Sequence, residues 1–222
     1  EELRDGKIDA GMFGIFTFAL TNARLGLEPL GRIEKLDGVS SYSGLIIARK
    51  DSGIKGPADM KGKTIALADP AATSGYVAQR GYFKKHGMNI DKDTKIFWTG
   101  AQDASAMAVF NKQADFGGVK NVIFNKIAKE NPAFKEAMAV LWESPSVPDS
   151  TLSVKKGFDA KLAKKIKDTL LGMEKDSEAS EILNKLNAKR FIEAKHSDYK
   201  SMNEIAKDAG IDLKTYPYTK KK

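Results

Sequence analysis

The stretch Asp69, Pro70, Ala71, Ala72, Thr73, Ser74, Gly75, Tyr76 holds the residue types of an anion cradle. Small side chains let a ligand approach the backbone. The Thr73 and Ser74 hydroxyls can donate hydrogen bonds or cap a helix, and a helix opening here would aim its first, unpaired amides outward. The positive end of the helix dipole lies behind those amides and favours a negatively charged group. Plain N-capping by Thr73 or Ser74 accounts for the same residues and stays open at this point.

Other chemistries find less support. Gly62, Lys63 and Thr64 resemble the end of a nucleotide-binding P-loop, but Gly56 stands one residue too far upstream and the segment leads into a strand, not a helix. His86 and His196 lack a nucleophile or metal-ligand partner at a recognisable spacing. With no cysteine, disulfides and thiolate metal sites are excluded, and the redox compartment stays open. The residues point to binding without catalysis, metal or cofactor. Gln102 and Asp103, after Gly100, suit a helix start, with Asp103 as a cap near the positive end. Tyr42 follows Ser40 and Ser41 in a loop, and its hydroxyl needs a partner, which makes it a ligand candidate. Phe13, Phe97 and Trp142 read as core.

Apolar runs bounded by turn signals place the elements that must hold these residues. Strands are expected over residues 8–14, 30–36, 42–49, 64–68, 94–98, 115–119, 138–142 and 151–155. Helices are expected at 3–7 (a helix end), from 15 to Ala23, and over 74–86, 103–112, 122–129, 159–174, 178–187 and 198–208. The alternation from 64 to 142 is that of parallel βα units, so the class is α/β, with a mainly helical C-terminal third.

A chain of 222 residues, 41% of them hydrophobic, can bury a sizeable core. No run approaches the roughly 20 apolar residues of a membrane span. The net charge of +8 invites a nucleic-acid reading. The lysines of 155–175 are interleaved with acidic residues, however, as on solvated amphipathic helices, and 220–222 form a short lysine tail. No nucleic-acid partner is expected, although a basic surface favours anions. Residues 1–6 lack the features of a signal peptide.

Together these residues resemble the phosphonate, phosphite and phosphate solute-binding proteins of ABC importers. The resemblance rests on Gly6, Lys7, Ile8, Asp9 to Gly14, on Tyr42 and Ser43, on Asp51 to Ile54, on Asp59 to Lys63, and above all on Asp69, Pro70 through Thr73, Ser74, Gly75. It implies a two-lobed periplasmic-binding-protein fold of type II. Lobe one would be 1–43 plus 148–222 and lobe two 44–147, with hinges near 42–47 and 146–152. The ligand would lie in the cleft between the lobes, against the helix start after the Asp-Pro pair.

Residue by residue, Ala72, Thr73 and Ser74 match a Ser-Thr-Ser run. Thr73 and Ser74 would donate to phosphoryl oxygens, Ala72 would offer only its backbone amide, and Gly75 continues the cradle. Gln102, followed by Asp103, stands where the family has the histidine of a Gly-x-His-Asp motif. Tyr42 matches an aromatic hydroxyl on the ligand. Asp149 matches a hinge carboxylate that holds an amino group or a protonated oxygen; a plain hinge-turn aspartate is the alternative.

The resemblance further implies a monomer, a membrane permease as partner, and a periplasmic or membrane-anchored extracellular location. It places Glu1 inside the first lobe, after a strand, helix and strand. Rival readings are a receptor for sulfonates or thiamine precursors, the sensing domain of a larger receptor, and, with least support, a phosphoryl-transfer enzyme.

Overall fold

The computed structural model describes residues 2–217; the lysine tail at 220–222 lies outside them. The chain divides into two compact units. The first comprises Glu1–Tyr42, Val147–Asn203 and Leu213–Thr215, the second Ser43–Ser146, Glu204–Asp212 and Tyr216–Lys222.

Residues 3–7 form a turn instead of the expected helix end. Strand β1 (Ala10–Phe13) ends at Gly14, whose carbonyl accepts from Thr17 Oγ1 at 2.8 Å as helix α1 (Ile15–Leu25) begins. Helix α1 buries Ile15, Phe16, Phe18, Ala19 and Leu20 and stops at Gly26, where a φ of 75° suits a residue without Cβ. Strand β2 (Leu27–Lys35) and the short β3 (Ser41–Tyr42) follow.

The second unit opens with β4 (Gly44–Arg49), in which Leu45, Ile46, Ile47 and Ala48 are all buried. The run expected as one strand over 42–49 is thus broken at Ser43, because β3 and β4 pair with different partners. Next come β5 (Thr64–Leu67), α2 (Ala78–Lys85) and the short α3 (Ile90–Asp93), capped by the Asn89 side chain. Strand β6 (Lys95–Trp98), α4 (Gln102–Phe110), β7 (Phe116–Lys120) and α5 (Asn121–Glu130) complete the expected alternation. An additional helix, α6 (Pro132–Ala137), starts at the proline under an Asn131 cap and leads into β8 (Met138–Glu143).

The chain then forms β9 (Val147–Pro148), β10 (Thr151–Lys155), α7 (Ala160–Gly172), α8 (Ser180–Lys185), β11 (Ala188–Glu193) and α9 (Lys200–Asp208). Strand β11 is absent from the sequence reading. Its pairing with β2 shifts register between Ala188 and Arg190, so the buried residues Ala188 and Phe191 are three apart and break the period of two.

In the first unit the sheet order is β1-β10-β2-β11, antiparallel throughout, and β3 pairs with β9 through Ser41 with Pro148 and Tyr42 with Val147. Ile33, Leu183, Ala188 and Phe191 form a core beneath α7 and α8. In the second unit the order is β6-β5-β7-β4-β8. Strands β5, β6 and β7 are parallel, as the alternation implied, but β4 runs against both β7 and β8. Leu45, Ile47, Ala66, Val109, Val119 and Phe134 pack in that unit's core. Phe97 is exposed, because β6 is the sheet's edge strand, and so is not the core residue expected.

Candidate functional site

The Asp-Pro turn has a clear physical cause. After β5 the Asp69 carboxylate accepts from the Ala71 amide at 2.7 Å, while its carbonyl accepts from the Ala72 amide at 2.9 Å. Pro70, with no N–H, leaves no donor unmet between them. The closed turn delivers the chain to Thr73, where a wide turn of π geometry, Thr73–Val77, runs into α2.

The first rungs of this helix are i→i−5 bonds, Val77 N to Ala72 O at 3.1 Å and Ala78 N to Thr73 O. The amides of Thr73, Ser74, Gly75 and Tyr76 therefore lie ahead of the ladder, at the positive end of the helix. Ala72 occupies the cap position and no side chain caps the helix. Thr73 and Ser74 thus sit inside the first turn, and the capping alternative does not describe them. Ala72, expected to offer its backbone amide to a ligand, has that amide engaged by the Asp69 carbonyl.

Thr73 and Ser74 are both buried. Among the described residues the Thr73 hydroxyl has no side-chain hydrogen bond, whereas Ser74 Oγ accepts from Gln102 Nε2 at 3.3 Å. Gln102 is itself oriented: its Oε1 accepts from the Lys120 amide at 2.8 Å, at the end of β7. Two glycines allow this packing. A Cβ on Gly75 would lie 2.8 Å from Gln102 Nε2, and one on Gly44 would lie 3.0 Å from Ser74 Cα.

Gln79, which the sequence reading passed over, ties the turn to the sheet. It is fully buried, and its Nε2 donates to the Ser74 carbonyl at 2.7 Å and to the Leu45 carbonyl at 2.9 Å. A signal existed in the sequence, since Gln79 falls one helical turn from both Gly75 and Phe83, a polar residue on an otherwise apolar stripe. Tyr76 braces the outer side. Its hydroxyl donates to Asp91 at 2.8 Å and accepts from Arg80 at 3.2 Å, and its ring meets Trp98 edge-on. Burial, reinforced by Asp91, pushes the Tyr76 phenol well above its ordinary range.

Asp103 begins α4 beside Gln102, but its carboxylate accepts from the adjacent Ala104 amide at 2.9 Å and the residue is exposed. The cap position belongs to Ala101, so the capping role expected for Asp103 is not the one it plays. Ala72, Thr73, Ser74, Gly75 and Gln102 are therefore brought together in the second unit, with Asp103 turned aside.

Tyr42 and Asp149 belong to the first unit. Tyr42 is buried in β3 opposite Val147. Asp149 is buried next to β9, its amide donating to the Ser40 carbonyl at 2.9 Å and its carboxylate accepting from the Ser150 amide at 2.8 Å. Its other oxygen lies 3.7 Å from Lys35 Nζ. Lys35 is a partner the sequence did not suggest, and its ammonium partly offsets the Asp149 charge.

Among the described residues no group of three or more His, Cys, Asp or Glu side chains could hold a metal ion. Among the described residues no helix is long and apolar enough to cross a membrane.

The Phosphonates-binding periplasmic protein of Escherichia coli is 26% identical over 189 residues, covering 83% of this chain and 56% of that protein. The chain spans about half the length of the curated relatives it matches. A Xanthomonas citri protein solved bound to ATP has a TM-score of 0.80 at 21% identity, over 94% of this chain and 80% of that one. PhnD1 of Prochlorococcus marinus, solved with methylphosphonate, has a TM-score of 0.71 at 20% identity, over 94% of this chain and 81% of that one. The fold is thus that of periplasmic binding proteins. A family model described as "ABC transporter, phosphonate, periplasmic substrate-binding protein" matches residues 1–199, and the chain belongs to that family.

Proposed function

We propose that this chain captures a phosphorus oxyanion, a phosphonate, phosphite or phosphate, in the periplasm and delivers it to the permease of an ABC importer. The observation that carries the reading is the helix start at Thr73. Its amides from Thr73 to Tyr76 precede the first rung of the ladder, next to the hydroxyls of Thr73 and Ser74. Such an array is rich in donors, which suits the unprotonated oxygens of an oxyanion. Charge-assisted hydrogen bonds contribute about 1.5 to 3 kcal/mol each, so a handful reaches the roughly 8 kcal/mol of micromolar affinity.

Tyr42 and Asp149 are the proposed contributions of the first unit. With Lys35 beside it, Asp149 can accept from a ligand's amino group or protonated oxygen without presenting a bare charge. Lobes 1–43 plus 148–222 and 44–147, hinged near 42–47 and 146–152, remain part of this proposal, but Glu204–Asp212, expected in lobe one, cluster with the second unit.

Thermal unfolding with methylphosphonate, phosphite, phosphate, sulfate and ATP at equal ionic strength tests the reading. A ligand at about 100 times its dissociation constant adds roughly 2.7 kcal/mol of stability. Stabilisation by the phosphorus oxyanions, lost in Thr73→Ala plus Ser74→Ala, is expected. Stabilisation by sulfate or ATP alone would move the protein to another ligand class, and no response to any anion would remove the capture reading.

A further inference from the structure

Gln102 lies at the helix start, and both ends of its carboxamide bond protein atoms. Its carboxamide has a fixed sense: the Lys120 amide can only donate, so the atom 2.8 Å away is Oε1, and the atom 3.3 Å from Ser74 Oγ is the donor Nε2. A serine hydroxyl that accepts from an amide keeps its own proton for another acceptor. Among the described residues Ser74 Oγ donates to no protein group.

Resting on the capture reading above, we infer that Gln102 is a positioning residue and not a ligand contact. It passes the donor sense of the Lys120 amide to Ser74, so that the Ser74 hydroxyl is held as a donor toward the oxyanion. The corner at Ser74 then takes an unprotonated ligand oxygen, one that accepts and does not donate. Because the relay is built from an amide, a carboxamide and a hydroxyl, it carries no titrating group of its own and keeps this sense across neutral pH. Gly75 is part of the device, since any side chain there would enter the space of Gln102 Nε2.

The test is a double-substitution cycle read by calorimetric titration with methylphosphonate. Ser74→Ala weakens binding about tenfold or more, the loss of one hydrogen bond to a charged group. Gln102→Met weakens the parent comparably, yet in the Ser74→Ala background it changes affinity less than about twofold. An undiminished loss in that background would make Gln102 a direct contact and overturn the inference. Gln102→Glu retains the acceptor for Lys120 but turns the other atom into an acceptor, so the Ser74 proton is drawn away from the ligand. Its affinity, as a ratio to the parent that cancels the ligand's own titration, recovers as pH falls toward about 4.3. A ratio independent of pH would count against the relay.

Two ligand-free measurements separate this inference from the capture reading. Amide exchange at Lys120 accelerates in Gln102→Met and is unchanged in Ser74→Ala, and the Gln102 carboxamide resonances shift in Ser74→Ala. If no oxyanion binds the parent, capture fails while these signals still decide the relay. If capture holds and they are silent, only the relay fails.

Discussion

Gly75 sits where no side chain fits: a Cβ would meet Gln102 Nε2 at 2.8 Å and the Ala68 and Ala72 methyls at 3.1 Å. Gln102 can swing away, whereas the two alanines are fixed by the backbone. Gly75→Ala is therefore expected to cost about 1 to 3 kcal/mol of stability and to weaken oxyanion binding by displacing Gln102. Unfolding and titration of the one variant measure both, and intact affinity would show that the position of Gln102 is immaterial. At residue 102 a histidine would make the neutral amide titratable. Gln102→His should tighten anion binding below about pH 6.5, relative to the parent, as the ring gains a proton. Thr73 and Ser74 stood out in the sequence by residue type and by their place after an Asp-Pro turn, and Gln102 by its place after Gly100 at a helix start. Lys35 was not, because its partner Asp149 is distant in the chain and only the fold brings the two side chains to 3.7 Å.

Elements are held to each other by groups whose protonation matters. Burial, as the largest cause, raises the phenols of Tyr76, Tyr82 and Tyr199 above their ordinary range. An unfolded tyrosine loses its proton near pH 10, so the folded chain then holds protons the unfolded chain has released. Their contribution is thus fully present below about pH 10 and lost as pH rises toward the folded values. Unfolding temperature should fall through that window, with a shallower fall in Tyr199→Phe. Close packing between elements is equally testable at Gly118, where a Cβ would lie 2.8 Å from both Gln79 Cδ and Leu67 Cδ2. Gly118→Ala should destabilise by about 1 to 3 kcal/mol, measured by denaturant unfolding. Strands such as β5 and β8 were legible from apolar runs between turns, and α7 from its Asp159 cap, which accepts from the Leu162 amide. The register shift in β11 hid that strand, and the reversed direction of β4 has no local signature, because strand direction is decided by neighbours and not by propensity.

For the whole molecule the net charge of +8 sets a field that draws anions from solution. Association of a phosphorus oxyanion should slow as ionic strength rises from about 0.01 to 0.15 M and the screening length falls from about 30 to 8 Å. Dissociation, governed by short hydrogen bonds, should change little, and stopped-flow kinetics at several salt concentrations resolves the two rates. A dissociation rate that carried the whole salt effect would mean that surface charge has no part in capture. The reversed strand β4 also bears on how the protein is made. It leaves the ribosome before both its neighbours, β7 and β8, which come from much later in the chain. Until Lys120 has followed, the apolar run Leu45, Ile46, Ile47, Ala48 has neither flank to pair with, and until Glu143 has followed it lacks the second. The nascent chain must travel with a sticky, unpaired strand, an interval in which a holdase has something to hold and a truncated product has every reason to aggregate.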